Sequence, residues 1–326
     1  MSLEWGNIKH ITLLFVSPVN ISTNLFLIYM VTKYSNKALH SYKKILYLGA
    51  CYDIFLTTVT LFCATMWSVK NGYQYVIIQG LLGPVPEPFT AIFYSMYHYV
   101  LYLNVAVVSV QFIYRFVLLC FDKTMGVLSF MFLVIGAFTI CGLNSFRRYT
   151  EFVQNHNSSH DATAISLGWI DNKTGEVLNY GIFSSDTDNT ASYVILFVSY
   201  SITFVCALSV LIRLHWSVSK LKFFDKKVYR QVTVVLFLEA FIPFCITVVP
   251  IFINLLSISL KFTFPHFNTI TITGYYGPLI NSLIKLMVIQ VFRDTIFSWL
   301  KGKFVKTVTQ DVSTVTVTNL PNVVIT

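Results

Sequence analysis

The sequence has little charge for its length. Only 11% of the 326 residues are Asp, Glu, Lys or Arg, whereas 55% are hydrophobic and 16% are aromatic. A water-soluble protein of this size needs more charge to cover its surface, so the composition excludes an ordinary soluble domain. We therefore expect an integral membrane protein whose apolar surface faces lipid.

Enzyme motifs are also missing. The chain contains no HExxH, GxSxG, GxGxxG or P-loop pattern and no CxxC pair, which are the patterns that hold metals, nucleophiles and phosphates in common enzyme classes. We expect no enzymatic activity and no cofactor. The net charge of +9 does not predict nucleic-acid binding either, because no basic cluster lies on a soluble domain.

Cysteine is rare in the polar parts of the chain. All six lie within or at the edge of apolar runs: Cys51, Cys63, Cys120, Cys141, Cys206 and Cys245. We therefore propose no disulfide in the long polar loops, and interpret these thiols as small apolar packing groups. The first residues, Met1 to Asn7, lack a basic leader, so we expect no cleavable signal peptide.

Long apolar runs are abundant. A helix needs roughly 20 apolar residues to cross about 30 Å of hydrocarbon, and seven runs reach that length: 11–32, 45–69, 90–115, 126–146, 193–214, 232–257 and 269–292. Barrel strands would be about half as long and would alternate apolar with polar residues. The sequence predicts an all-α membrane protein with a seven-transmembrane helix bundle over residues 1–306 and a flexible, Thr-rich tail over residues 307–326.

The loop charges predict the orientation of this bundle. Sixteen of the 23 Lys and Arg residues fall on one side of the predicted spans and six on the other. Basic loops stay in the cytoplasm, so the amino terminus is expected outside and the carboxyl terminus inside. The long polar loop 147–189 then lies outside, where the sequons at Asn157 and Asn172 are usable for glycosylation. His156 and His160 in this loop have a helical metal-ligand spacing, but solvated histidines are the simpler interpretation.

Four polar residues within the predicted spans fall at a similar depth. They are Asn24, Asp53, Glu239 and Lys285, each roughly 10 to 12 Å from the basic side at helical rise. A charge in hydrocarbon costs a few kcal/mol unless it is paired, so we predict a network with Glu239 paired to Lys285. Depth alone leaves open whether this network is a static clamp between helices or a set of pairs that exchange when the sixth helix moves.

One more charged residue, an arginine, lies at the end of the third predicted span. Arg115 stands in SVQFIYRFVLLC, below the polar layer, and composition alone favours a boundary arginine whose head group reaches the lipid phosphates. The motif FIYRF at residues 112–116 resembles the FIYRY of nematode serpentine chemoreceptors of the Str-type superfamily. Similar stretches are SYKKILYLGACYDIF, RQVTVVLFLEAFIPFCITVVP and VFRDTI, so the resemblance covers nearly the whole chain.

This resemblance implies a ligand-activated, G-protein-coupled receptor of a sensory neuron. Such a receptor would lie in the plasma membrane, with sensory cilia as its expected site, and would bind an odorant or soluble metabolite and activate a heterotrimeric G protein. Tyr114 and Arg115 replace the acidic-Arg pair of rhodopsin-like receptors, which leaves the resting partner of Arg115 open. Residues assigned to G-protein coupling are Tyr114, Arg115, Lys222, Lys226, Lys227 and Arg230.

Aromatic residues in the outer half of the bundle are the candidate ligand contacts. Helical spacing puts Tyr94, Tyr97 and His98 on one face of the third helix, opposite Tyr193, Phe197 and Tyr200 on the fifth. Aromatic stripes at this spacing also arise from packing alone. In the sixth helix, Pro243 and Pro250 predict a kink that either permits bending or is fixed.

The sequence predicts a short interfacial helix over residues 293–306, with Ile296, Trp299, Leu300 and Phe304 on one face.

Two alternatives to a signalling receptor remain at this point. The first is a channel or transporter whose path uses Asp53, Glu239 and Lys285, although no internal repeat supports it. The second is a partner that only modulates or traffics a related receptor. A homodimer or heterodimer is compatible with the sequence.

Overall fold

The computed structural model describes residues 2–34, 42–70, 73–83, 85–155, 160–170, 175–184, 189–218, 234, 237–261 and 272–302. Several predictions concern residues outside these ranges: the loop cations Lys222, Lys226, Lys227 and Arg230, the sequons Asn157 and Asn172, His156, Phe304 and the tail 307–326. The interfacial helix is described only as far as residue 302.

Five long helices form the first part of the bundle. They are α1 (Ser2–Tyr34), α2 (Lys43–Cys63), α3 (Phe89–Phe121), α4 (Val127–Asn155) and α5 (Thr190–Val218). Three of these bounds correct the predicted spans. α2 ends six residues before Val69, α3 continues past Arg115 to Phe121, and α4 continues past Phe146, so that Arg147 and Arg148 belong to the helix rather than to a loop.

The remaining helices are less regular. α6 comprises helical residues 237–243, a π-helical turn Phe244–Val248 and the α-helix Val249–Ser259. A 3₁₀ turn, Gly274–Tyr276, leads into α7 (Gly277–Val288), and extended backbone at Ile289 separates α7 from α8 (Gln290–Leu300). Within the described residues, six helices, α1 to α6, are long and apolar enough to cross a membrane. α7, with 12 residues, forms the shorter seventh member.

A small antiparallel sheet covers one end of the bundle. Strand β1 (Thr65–Lys70) pairs with β2 (Tyr73–Ile78), and β2 pairs with β3 (Gly181–Ser184). The register pairs Lys70 with Tyr73 across Asn71-Gly72, the dipeptide that two-residue hairpin turns prefer. This hairpin is why α2 ends before Val69. We call this end of the bundle the sheet end and the opposite end the Arg115 end.

α3 is the central helix. It packs against α2, α4 and α5, and its side chains are buried on several faces rather than along one stripe. A helix that is apolar all round is typical of the middle of a bundle. The central core is built around α3 residues such as Val100, Leu103 and Val107, with Leu56 of α2 and Leu196 of α5. The outer helices instead expose large apolar side chains such as Phe132 and Phe197, as lipid-facing helices do.

Candidate functional site

Three charged side chains from three helices meet at the Arg115 end of the core. Arg115 Nη2 of α3 lies 2.5 Å from Glu239 Oε2 of α6, and Lys285 Nζ of α7 lies 3.5 Å from Glu239 Oε1. Each side chain is at most 4% exposed. Glu239 therefore uses one carboxylate oxygen for each cation and links α6 to α3 and to α7 at the same time.

Arg115 is buried inside the bundle, whereas the sequence predicted a residue at the edge of the third span. Because α3 continues to Phe121, Arg115 is not a boundary residue, and its guanidinium contacts the polar layer instead of lying below it. The guanidinium also lies 5.4 Å from the centre of the Phe112 ring. Tyr114 points away from this site and packs edge-to-face on Phe130 of α4, with ring centres 5.5 Å apart.

Gly49 makes room for Lys285. A Cβ atom at position 49 would lie 2.8 Å from Lys285 Nζ and 3.3 Å from Gln111 Nε2, the first of which is closer than real Cβ contacts. The missing side chain of α2 therefore lets the ammonium of α7 reach the centre of the bundle beside Gln111 of α3. Buried charges persist in an apolar interior only when they are paired in this way.

Asp53 and Asn24 lie near this cluster but have other partners. Asn281 Nδ2 of α7 donates a hydrogen bond to Asp53 Oδ2 at 2.8 Å. Asp53 also interacts electrostatically with both Lys285 and Glu239. Asn24 donates to backbone oxygens of Asn20, at 3.0 Å, and of Pro278, at 3.5 Å. The predicted four-residue layer is therefore divided, since Asn24 ties α1 to α7 while Asp53 borders the charged cluster.

A cavity extends from the sheet end to Asp53. Its walls come from α1, α2, β1, α3, α6, the 3₁₀ turn and α7. The residues that line it include Asn20, Asp53, Trp67, Tyr97, Asn104, Thr247, Tyr275 and Asn281. The space open to the centres of water molecules is about 70 Å³, enough for about five to seven waters. A cavity between helices of a bundle, apolar with a few polar groups, is typical of a small-molecule site.

The structure does not gather the six predicted ligand contacts around this cavity. Tyr97 lines it, and its ring lies 6.3 Å from that of Trp67. The other five lie elsewhere: Tyr94, His98, Tyr193, Phe197 and Tyr200. Phe197 is 76% exposed on the outside of the bundle. The predicted contacts on α3 and α5 therefore lie apart from this cavity, with the exception of Tyr97.

His98 lies in an aromatic stack. Its ring lies 4.4 Å from that of Tyr102 and 6.0 Å from that of Tyr94, and its Nδ1 atom has no hydrogen-bond partner. Tyr94 in turn stacks on Phe152 of α4. Helical spacing identified a real aromatic face of α3, but that face packs against α4 and the sheet.

A second charged cluster, not predicted from the sequence, lies near the sheet end. Arg148 of α4 is 4% exposed, and its Nη1 lies 2.8 Å from Glu151 Oε2. Arg148 Nη2 donates hydrogen bonds to Asn189 Oδ1 and, at 3.2 Å, to Ser192 Oγ of α5. The spacing of Arg148 and Glu151, three residues apart, was the available sequence signal, because such pairs meet on one helix face.

The prolines of α6 flank the irregular part of that helix. Pro243 precedes the π-helical turn and Pro250 follows it, and both line the cavity. Thr247 in this turn accepts a hydrogen bond from Asn104 Nδ2 of α3 at 3.2 Å. π-helical turns are rare and occur frequently at functional sites. The irregular turn of α6 therefore borders the cavity, and Glu239 lies on the same helix, four residues before Pro243.

The sheet end has its own polar contacts. Tyr180 donates a hydrogen bond to Asp161 Oδ1 at 2.6 Å, and the hydroxyl of Tyr75 lies 2.9 Å from His160 Nδ1. Burial raises the pKa of both tyrosines, Tyr75 and Tyr180. His160 thus contacts a tyrosine, and among the described residues no group of three His, Cys, Asp or Glu side chains is placed to bind a metal.

α8 packs against the Arg115 end of α1. The Trp299 ring lies 6.0 Å from that of Phe26, 6.5 Å from that of Tyr29 and 5.7 Å from that of Tyr34. Ile296 joins the same apolar cluster, whereas Leu300 is exposed. The helix begins at Gln290, three residues before the predicted start at Arg293. Its interfacial position is still a prediction.

The comparison with known families covers most of the chain. A family model described as "Serpentine type 7TM GPCR chemoreceptor Str" matches residues 9–297. The match spans α1 to α7 and most of α8, and includes Asp53, Arg115, Glu239 and Lys285. No curated protein matches the sequence.

Proposed function

The chain belongs to the serpentine 7TM GPCR chemoreceptor family Str, and on that premise we propose that it binds a small molecule in the cavity and activates a heterotrimeric G protein. As a member of this family it is a multi-pass membrane receptor and not an enzyme. The proposal adds the place of ligand binding, the coupling partner and the residues that connect them.

The Arg115–Glu239 ion pair is the observation that carries the proposal. It joins α3 to α6 at the Arg115 end, with a second link from Glu239 to Lys285 of α7. We interpret this arrangement as a lock that holds α6 against the bundle in a resting state. Movement of α6 away from α3 would separate the pair and expose Arg115 to a segment of the G protein.

Ligand binding would act on this lock through α6. The cavity is lined by Pro243, Thr247 and Pro250 of α6, which lie on the same helix as Glu239. A ligand shifts the balance between resting and active states only by binding one of them more tightly. A shift from 1:99 to 99:1 needs about 5.5 kcal/mol of such preference. We propose that ligand binding changes the π-helical turn, and that this change reaches the ion pair at Glu239 along α6.

The proposal includes topology and location, which rest on sequence pattern. The excess of basic residues in the loops at the Arg115 end supports an orientation with that end in the cytoplasm and the sheet end outside. The loop residues Lys222, Lys226, Lys227 and Arg230 would then meet the G protein together with Tyr114 and Arg115. Glycans at Asn157 and Asn172, residence in the plasma membrane of sensory cilia, a role in olfaction and the formation of dimers belong to the same proposal.

Basal nucleotide exchange tests the lock without any ligand. Membranes that contain the receptor and a promiscuous heterotrimeric G protein would be assayed for GTP binding, with surface expression measured in parallel. Glu239→Gln keeps the shape of the side chain but removes its charge, so we expect basal exchange to rise several-fold. Glu151→Gln is the matched control, because Glu151 also pairs with an arginine but lies near the sheet end.

The outcomes separate receptor classes. A rise for Glu239→Gln alone supports a receptor whose resting state needs this carboxylate. No rise for a variant that reaches the surface would remove the lock from the proposal. A ligand-evoked current that persists when the G protein is blocked would favour the channel alternative, in which Asp53, Glu239 and Lys285 border an ion path.

A further inference from the structure

We infer that the cavity binds a small organic ammonium ion, a short-chain primary amine, with Asp53 as its counter-ion. This inference rests on the proposed receptor function and specifies the chemical class of its ligand. Neither the predicted aromatic wall nor the family match indicates this class. The argument depends on which side chains line the cavity and on which of their polar atoms already have partners.

The charge of the cavity wall is the first observation. Among the residues known to line the cavity, Asp53 is the one charged side chain, and it is 4% exposed. Arg115, Glu239 and Lys285 are not part of the wall. The wall therefore presents one carboxylate in a largely apolar interior, where an ammonium ion would be bound strongly. Asn281 donates a hydrogen bond to one of its oxygens, Oδ2.

The hydrogen-bonding groups are the second observation. The amide nitrogens of Asn281 and Asn104 already donate, to Asp53 and to Thr247 respectively. The nitrogen of Asn20 donates to the backbone oxygen of Tyr275 at 2.9 Å, whereas its Oδ1 atom is buried without a hydrogen-bond partner. The wall thus has an acceptor, Asn20 Oδ1, in addition to the carboxylate of Asp53, and both fit a ligand with N–H donors.

The aromatic residues of the wall are the third observation. Trp67, Tyr97 and Tyr275 all line the cavity. Aromatic rings attract cations through their negative faces, and this attraction is strongest where water is excluded. A carboxylate with several aromatic rings in one small cavity is a combination that favours an organic ammonium ion over an anion or a neutral hydrocarbon.

The size of the cavity limits the length of the amine. The volume open to water molecules is about 70 Å³, enough for about five to seven waters, so the cavity admits only a small ligand. Butylammonium has five non-hydrogen atoms and is a suitable probe. Its ammonium group would lie at Asp53, and its alkyl chain would extend towards the side chains of Leu56 and Ile251 in the same wall.

Thermal unfolding of the purified full-length receptor tests this inference. The unfolding midpoint would be measured at increasing concentrations of butylammonium chloride. Three controls would be measured in the same way: sodium chloride and tetramethylammonium chloride at equal ionic strength, and 1-butanol. We expect butylammonium to raise the midpoint and the other three to leave it unchanged, because a ligand that binds the folded state stabilises it. Tetramethylammonium has a charge but no N–H donor, and 1-butanol has the chain but no charge.

Substitution of the counter-ion adds a second measurement. Asp53→Asn retains an oxygen for the hydrogen bond from Asn281 but removes the charge. The butylammonium concentration that gives half of the shift should rise about 10- to 100-fold, as expected for the loss of a charged hydrogen bond. Asp294→Asn is the matched control, because this carboxylate is 56% exposed on α8 and outside the cavity.

Each result has a defined meaning. An equal shift by 1-butanol would show that the cavity recognises only the alkyl chain, and an equal shift by sodium would show an inorganic cation site; both overturn the inference. If Asp53→Asn does not fold, the comparison of the four probes on the unmodified receptor still decides. The basal exchange of Glu239→Gln needs no ligand, so failure with amines leaves the proposed receptor function standing.

Discussion

The guanidinium of Arg115 and the carboxylate of Glu239 approach to 2.5 Å across the contact between α3 and α6. Both side chains are 4% exposed. A buried pair of this kind does not by itself stabilise a fold greatly, because removing two charges from water offsets much of their attraction. Its specificity is the more important property, since it fixes the position of one helix relative to another.

The two partners of this pair should give opposite signalling phenotypes. Arg115→Ala removes both the lock and the proposed contact with the G protein, so signalling should fall to background at normal surface expression. Glu239→Gln removes only the lock, so basal signalling should rise. Basal and stimulated GTP binding would be measured for both variants. Loss of signal in both, or misfolding of both, would indicate a purely structural ion pair.

Arg115→Lys separates charge from shape at the same position. Lysine keeps the positive charge but lacks the planar, forked donor group of arginine. We expect an intermediate phenotype, with raised basal GTP binding and a reduced maximum. A phenotype equal to that of the unmodified receptor would show that the charge alone is sufficient.

Gly49→Ala should weaken the lock from a third helix. The new Cβ atom would lie 2.8 Å from Lys285 Nζ, and the end of this flexible side chain can move away. The ammonium of Lys285 then moves away from Glu239, whereas the pair between Glu239 and Arg115 remains. Basal GTP binding should therefore rise, but less than in Glu239→Gln. Gly142→Ala is the control, because its new Cβ would meet nothing closer than a Tyr99 ring atom at 3.9 Å. Equal effects of the two substitutions would contradict this account.

Exchange of Glu239 and Lys285 should not restore function. With one pair in isolation, a double charge exchange would recover the interaction. Here Glu239 also pairs with Arg115, so a lysine at position 239 would face a guanidinium. We expect Glu239→Lys combined with Lys285→Glu to signal no better than the single variants in GTP-binding assays. Recovery of normal basal and stimulated activity would show that Arg115 is not held by position 239.

Arg148→Ala should reduce stability without a specific effect on signalling. It removes a buried side chain that contacts Glu151, Asn189 and Ser192. Glu151 still pairs with Arg147, so the cost comes mainly from the lost hydrogen bonds to Asn189 and Ser192, at about 1 to 3 kcal/mol for each buried group left without a partner. The thermal unfolding midpoint of the purified receptor should fall markedly. Arg293→Ala, at a partly exposed position, is the control, and equal midpoints for the two variants would contradict the role of Arg148.

Glycosylation provides the test of topology. If the sheet end faces outside, Asn157 and Asn172 are modified, and the glycosidase-sensitive gel shift disappears when both are changed to Gln. Single variants should each remove part of the shift. A glycan at a sequon introduced near Lys123, beyond the Arg115 end of α3, would reverse the proposed orientation.

The relative level of two residues on neighbouring helices was predictable from the sequence, but the direction of a side chain was not. Counting residues from the span ends predicted that Glu239 and Lys285 lie at one level, and their side chains lie 3.5 Å apart. The same counting placed Arg115 lower, because the end of α3 was taken at the arginine. Apolar composition shows where a helix can cross a membrane, but the helix itself continues to Phe121.

The sheet and the cavity illustrate the other limits. Asn71-Gly72 between two β-rich runs was a sufficient signal for the hairpin, but the apolar run from Ile45 hid the end of α2. The cavity could not be predicted, because its lining comes from seven elements spread along the chain. Spacing places Tyr94, Tyr97 and His98 on one face, yet only packing shows that Tyr97 alone of these three borders the cavity.

If α6 moves as proposed, the shared carboxylate would also make the receptor sensitive to membrane voltage. Glu239 is the acidic member of the cluster and lies on the helix that is proposed to move, whereas its two partners belong to α3 and α7. The free energy of one charge changes by about 2.3 kcal/mol per 100 mV when it crosses the whole membrane. A displacement along the membrane normal by about a tenth of the hydrocarbon thickness would therefore change it by about 0.2 kcal/mol per 100 mV. On this proposal, the resting potential of the cell would contribute to the balance between the resting and active states.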